Sequence, residues 1–239
     1  MSFDDPVFWT ALLKIIGVNI VLSGDNAVVI ALAARSLPQK QQKQAIFWGS
    51  AAAIIMRIVL TIFAVALLAL PWLKLIGSVL LLWIGVKLLV PESGDENVSP
   101  GENLTAAIKT ILIADLVMSV DNVIAVAAAA GGSFVLLMIG LAISIPLVIF
   151  GATLLIKVME RYPVIITIGA ALIGFVAGEM GWEDKAIAGF TQAFPEAMKY
   201  VCAVLGAAFV VVVGQSIAKR HAREAAAAAG NGTAPTNVP

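Results

Sequence analysis

The chain is short of the residues that cross-link or solvate a water-soluble domain. Its 239 residues include one cysteine, Cys202, so no disulfide can form within it. There is one histidine, His221, placed among charged residues near the C-terminus, where a solvated tail residue is expected. Charged residues make up 13% of the chain, against about 25% in soluble domains. Acids and bases balance to a formal net charge of zero, which gives no signal for nucleic acid. No Walker motif is present, so ATP is not expected to drive any process through this chain. The first residues, Met1 to Asp5, are acidic and lack the basic start of a cleavable signal peptide, so the first apolar segment is expected to be retained.

What remains is apolar. Hydrophobic residues are 61% of the chain and its mean hydropathy is +1.00. The implied partner is a lipid bilayer. Seven apolar stretches, at 8–34, 46–70, 72–90, 105–130, 134–158, 163–181 and 199–218, have roughly the 17–25 residues that span hydrocarbon. They are too long and continuous for barrel strands, so helices are expected. The fold class is therefore all-α, a polytopic membrane protein with seven transmembrane helices. One transmembrane domain, 1–220, is expected, followed by a flexible tail over 221–239 whose Ala/Gly-rich start, from Ala222, is expected to extend helix seven briefly and then fray. The segment Pro91 to Glu102, acidic with Pro and Gly, reads as a loose link between two halves.

Charge sets the orientation. Arg35, Lys40, Lys43, Lys87, Lys109, Lys157, Arg161, Lys219, Arg220 and Arg223 fall on one side if the chain alternates. The other side holds Asp4, Asp5, Lys74, Glu183, Asp184, Lys185, Glu196 and Lys199. Positive charge marks the cytoplasmic face, which puts the N-terminus outside and the C-terminus inside. Trp9, Trp72 and Trp182 fall near the outer ends, as an aromatic belt would.

The two halves repeat each other. Val21-Leu22-Ser23-Gly24-Asp25-Asn26-Ala27-Val28 matches Val117-Met118-Ser119-Val120-Asp121-Asn122-Val123-Ile124 at an offset of 96. Pro71 and Gly77 match Pro163 and Gly169 at an offset of 92, and Gly49 and Gly140 open the helices between. Repeat one covers 8–90, repeat two covers 105–181, and helix 199–218 is left over. Three helices per repeat make the repeats inverted in the membrane, an architecture that places a site at the repeat interface.

The acids in these segments are the leading candidates. An aspartate at membrane depth costs about 2.5–3.5 kcal/mol on insertion scales, so it is read as functional. Asp25 and Asp121 lead, with Asn26 and Asn122 beside them. Asp115 matches Asn19 at the same offset of 96 and shares a helix face with Ser119 and Asn122. Asp121 lies about 120° round that helix from Asp115. Pooled, the segments offer three carboxylates (Asp25, Asp115, Asp121), three amide oxygens (Asn19, Asn26, Asn122) and two hydroxyls (Ser23, Ser119). An all-oxygen set suits Mg²⁺, Ca²⁺ or Mn²⁺ and argues against Zn²⁺ or Cu⁺. Clustered carboxylates without a cation repel each other, which makes protons a candidate exchange partner for the metal. The competing reading is that these groups only hydrogen-bond between helices.

Other polar residues leave alternatives open. Gly24 either loosens helix one or allows close packing; its counterpart is Val120. Arg57 either pairs with one of the aspartates or snorkels to the cytoplasmic face. Lys87 reads as an interfacial anchor. Glu179, after the GxxxG run Gly174 to Gly178, is an interfacial residue or an outer gate ligand.

Ser23-Gly24-Asp25-Asn26-Ala27 with Ser119-Val120-Asp121-Asn122-Val123 resembles the paired signature of the TerC family, over residues 8–220. The short seven-helix form, without a cytosolic extension, is similar to the YjbE-type branch of that family, within the LysE-like transporter superfamily. The resemblance implies a divalent metal-ion exporter of the bacterial inner (cytoplasmic) membrane, with Mn²⁺ as transported cargo, no permanently bound cofactor and no enzymatic activity. Asp25, Asn26, Asp121 and Asn122 are the motif positions; Asp115 is added from the helix-face argument. Two other readings stand beside it. One is an intramembrane aspartyl protease, although Leu22 occupies the first glycine position of that class's G-x-G-D motif. The other is an accessory subunit for metal loading of exported enzymes.

Overall fold

The computed structural model describes residues 6–63, 70–90, 100–129 and 134–231. The long helices are α1 (Pro6–Ala34), α2 (Gln39–Ile62), α3 (Leu73–Leu89), α4 (Pro100–Ala129), α5 (Phe134–Arg161), α6 (Val164–Trp182) and α7 (Ala197–Asn231). A 3-10 turn, Lys185–Ile187, and one helical turn, Ala188–Thr191, separate α6 from α7. Every regular element among the described residues is helical. Five helices among them are long and apolar enough to cross a membrane: Gln39–Ile62, Asn103–Val120, Met138–Arg161, Val164–Trp182 and Ala197–Glu224. Large apolar side chains such as Trp83, Phe150, Leu205 and Val212 are exposed on the helices' outer faces, as expected where lipid is the solvent.

Helix ends depart from the apolar runs for local reasons. Helix α2 begins at Gln39, before its apolar run, because Pro38 presets the entry and the polar residues Gln39 to Gln44 are good helix formers. Helix α4 starts at Pro100, so the last residues of the link expected to be loose are helical; Pro91 to Ser99 lie outside the described residues. The tail expected to be flexible from 221 continues α7 as far as Asn231. It runs through Ala225 to Ala229, the residue type of highest helix propensity. Pro146 sits inside α5 without ending it.

Helix α1 packs on α5 and α4, α2 on α4, α3 on α6, and α6 on α7. Small residues permit the close approach. Ala31, Ala34, Ala114, Ala152 and Ala177 are fully buried around Leu81, Ile84 and Ile111. The tightest crossing is α6 on α7. A Cβ added at Gly174 would lie 2.5 Å from the Gly206 carbonyl oxygen and 2.9 Å from Ala207 Cα. One added at Gly178 would lie 2.7 Å from the Cys202 carbonyl carbon. The GxxxG run is therefore a packing face for α7. Gly178→Val is expected to cost about 1–3 kcal/mol by overpacking and to lower the unfolding temperature in detergent. Gly189→Ala, where nothing lies within 4 Å, is expected to leave it unchanged.

One carboxylate fastens α3 to the turn after α6. Asp184 is almost fully buried and accepts hydrogen bonds from the backbone N–H of Trp72 (3.0 Å), Leu75 (2.8 Å) and Ala186 (2.7 Å). Trp72 enters α3 with φ of 71°, in the left-handed region. Burial opposes the charge of Asp184, but the backbone donors outweigh it and hold its pKa below the ordinary 3.8. A depressed acid contributes stability above its unfolded pKa and loses it as pH falls through the lower folded value. Asp184→Ala is expected to cost about 1–3 kcal/mol, because three backbone N–H groups lose their acceptor. Thermal unfolding measured from pH 7 down to below 3.8 should show a steeper loss in the wild type than in the variant.

Candidate metal site

Helices α1, α2, α4 and α5 meet around a buried polar cluster. Arg57 of α2 is buried at 4% exposure, a depth that demands a counter-charge. Its Nη2 donates to Asp115 Oδ1 of α4 at 2.7 Å, and its Nε donates to Ser119 Oγ at 3.0 Å. The Ser119 hydroxyl donates to Asp115 Oδ2 at 3.0 Å. Ser119 follows Asp115 by one helical turn, so both reach the same guanidinium. The pair is charge-assisted and closed on itself. Of the two alternatives for Arg57, the structure has it paired with an aspartate.

A cavity of about 20 Å³ adjoins this pair. Its lining includes Asn26 and Ile30 from α1, Ser50, Ala53 and Arg57 from α2, Asp115 from α4 and Val148 from α5. That volume is close to what one water-sized occupant needs. Ser50 Oγ and Asn122 Nδ2 are buried with no hydrogen-bond partner among the described residues. Asn26 is buried at 4% exposure, and its backbone N–H donates to Asp25 Oδ1 at 3.2 Å. Asp25 is half-buried.

The structure thus brings Asn26 and Asp115 to one cavity, with Asp25 next to Asn26 on α1. Asn122 is buried on α4, one turn beyond Ser119. Asp121 lies on α4, and its side chain is outside the described part of the structure, as are those of Asn19 and Ser23 on α1. Among the described residues, no three His, Cys, Asp or Glu side chains are grouped to hold a metal. Ser50 was not foreseen. Its signal was available, since Ser50, Ala53, Ile54 and Arg57 follow the i, i+3, i+4, i+7 spacing of one helix face.

The other polar residues lie elsewhere. Lys199 Nζ sits 2.9 Å from Glu179 Oε1 and 3.1 Å from Glu183 Oε1, and Lys74 Nζ lies 3.2 Å from Glu183 Oε2. This network ties α3, α6 and α7 together. Burial opposes the charge of Glu183, but the lysines outweigh it and lower its pKa. Lys87 lies over the Trp83 ring at 5.6 Å, a cation–π contact.

An all-helical, lipid-facing chain with a buried ion pair beside a repeated acid motif is a multi-pass integral membrane protein. The chain belongs to the TerC family of integral membrane proteins, whose family model matches residues 4–223. It is 43% identical over 202 residues to the uncharacterized membrane protein YjbE of Bacillus subtilis (strain 168), covering 84% of this chain and 92% of that protein. It is 25% identical over 234 residues to the uncharacterized membrane protein YceF of the same organism, covering 94% and 89%. The UPF0053 inner membrane protein YgdQ of Escherichia coli (strain K12) is 27% identical over 177 residues, covering 66% and 74%. No solved structure matches the chain.

Proposed function

We propose that the chain is a secondary transporter that exports a divalent metal ion, with Mn²⁺ the cargo the family resemblance favours. The observation that carries this reading is the polar cluster buried where the two repeated motif helices, α1 and α4, meet α2 and α5. The ion would be held by Asp25 and Asp121, with Asn26 and Asn122 as neutral oxygen ligands. Such a set suits a hard divalent cation.

The packing supports an inverted repeat of three helices. If α1, α2 and α3 correspond to α4, α5 and α6, the contact of α1 with α5 exchanges with that of α4 with α2. The contacts of α1 with α4 and of α3 with α6 map onto themselves. The matched glycines behave alike. A Cβ at Gly77 of α3 would meet Val117 of α4 at 2.7 Å, and one at Gly169 of α6 would meet Val28 of α1 at 2.9 Å. In this reading seven helices cross the inner membrane with the N-terminus outside, and the site opens alternately to the two faces.

The test is Mn²⁺ flux into proteoliposomes that contain only this protein. Flux above protein-free vesicles, competed by excess divalent cation, is expected. Normal incorporation without flux would refute autonomous transport and favour an accessory role.

A further inference from the structure

The two halves are not chemically equal around the motif. At the offset of 96 that aligns the motifs, Asp115 faces a neutral counterpart, Asn19. At the offset of 91 that aligns Gly49 with Gly140, Arg57 faces Val148, which is apolar. The second motif helix thus carries one extra carboxylate, and α2 carries one extra guanidinium. The structure joins these two additions to each other at 2.7 Å. Val148 lines the same cavity as the pair.

Stability is a poor reason for such a pair. Desolvation of two buried ions offsets most of their attraction, and an apolar replacement is often as stable. The placement suggests a use. The pair borders the cavity that motif Asn26 lines, and Asp25 precedes Asn26 in the chain. Asp115 has one oxygen on Arg57 and the other on Ser119, so its carboxylate is already engaged.

We infer that Arg57 is a specificity-determining residue that removes Asp115 from the ligand set and fixes the formal charge of the site at that of the two motif aspartates. A formal charge of −2 from Asp25 and Asp121 balances one divalent cation. Asp115 serves as the counter-ion of Arg57, not as a ligand, and Ser119 holds the two in register. This inference rests on the proposed transport function and adds the origin of its charge selectivity.

The test is equilibrium binding of Mn²⁺ to the purified full chain in detergent, for the wild type, Arg57→Gln, Asp115→Asn and the double variant. Arg57→Gln leaves an extra negative charge beside the ion and should tighten binding by roughly tenfold or more. Asp115→Asn leaves Arg57 unbalanced and should weaken binding by a similar factor. The double variant removes one positive and one negative charge together, leaves the formal charge beside the ion unchanged, and should bind within about threefold of the wild type. Lost packing or folding would weaken binding in every variant, so a gain in Arg57→Gln and recovery in the double variant are not explained by a structural role. Where a single variant does not fold, the double variant against the wild type decides. A folded double variant that binds as poorly as Asp115→Asn, or has lost binding, would show that Asp115 ligates the metal and overturn the inference. A wild type that binds no divalent ion overturns the transport function and this inference together. A wild type that binds while the double variant fails overturns the inference alone.

Discussion

Asp121→Asn is expected to reduce Mn²⁺ flux to the level of protein-free vesicles while the chain still inserts and folds. The substitution keeps the shape of the side chain and removes its charge. A divalent ion held by two carboxylates loses half of its formal neutralisation, and no neutral ligand restores that charge. Asp25→Asn should fail in the same way, because Asp25 occupies the matching position on α1. Asn122→Ala should slow flux less, since a water oxygen can replace a neutral amide ligand. Cells making Asp121→Asn at normal levels, yet tolerating Mn²⁺ as the wild type does, would remove Asp121 from the mechanism.

Asp115→Leu is expected to destabilise the chain by about 3–5 kcal/mol, the usual cost of leaving one buried charge without its partner. Arg57 is enclosed at 4% exposure, and its guanidinium has Asp115 and Ser119 as hydrogen-bond acceptors. Removing the carboxylate leaves Ser119 as a neutral acceptor for a full positive charge. Combining Asp115→Leu with Arg57→Met removes both ions and should return stability to within about 1 kcal/mol of the wild type. Unfolding of all three variants in the same detergent, followed by intrinsic tryptophan fluorescence, measures the difference. A single Asp115→Leu variant as stable as the wild type would mean that Arg57 finds another partner or reaches water.

Much of this architecture is legible in the sequence because lipid leaves few choices. A backbone in hydrocarbon must satisfy itself, so the apolar runs had to be helices, and the run expected at 72–90 is observed as Leu73–Leu89. The repeated Asp-Asn pair was visible because the offset of 96 is a property of the chain alone. Contacts between distant residues were not visible. Arg57 could be placed at depth, but its choice between Asp115 and the membrane surface depends on how α2 crosses α4. Asp184 read as one more acid in an outer loop, whereas its partners Trp72 and Leu75 lie more than a hundred residues away. Ser50 stands alone in an apolar helix, where a serine hydroxyl commonly bonds to its own backbone, so its place at the cavity depends on how α2 packs. The Ala/Gly-rich start of the tail reads as a brief extension of the last helix, and Ala225 to Ala229 carry that helix to Asn231.

In the proposed function the two repeats share one metal ion between Asp25 and Asp121. Crystals of the full chain soaked in Mn²⁺, with anomalous diffraction recorded at the manganese edge, test it most directly. A single strong peak is expected at the junction of α1 and α4, with carboxylate oxygens of both Asp25 and Asp121 at about 2.0–2.6 Å, the range for hard divalent cations. Carboxylates of Asp25 and Asp121 more than about 10 Å apart, with no metal or polar cavity between them, would contradict it, since no single ion bridges that gap.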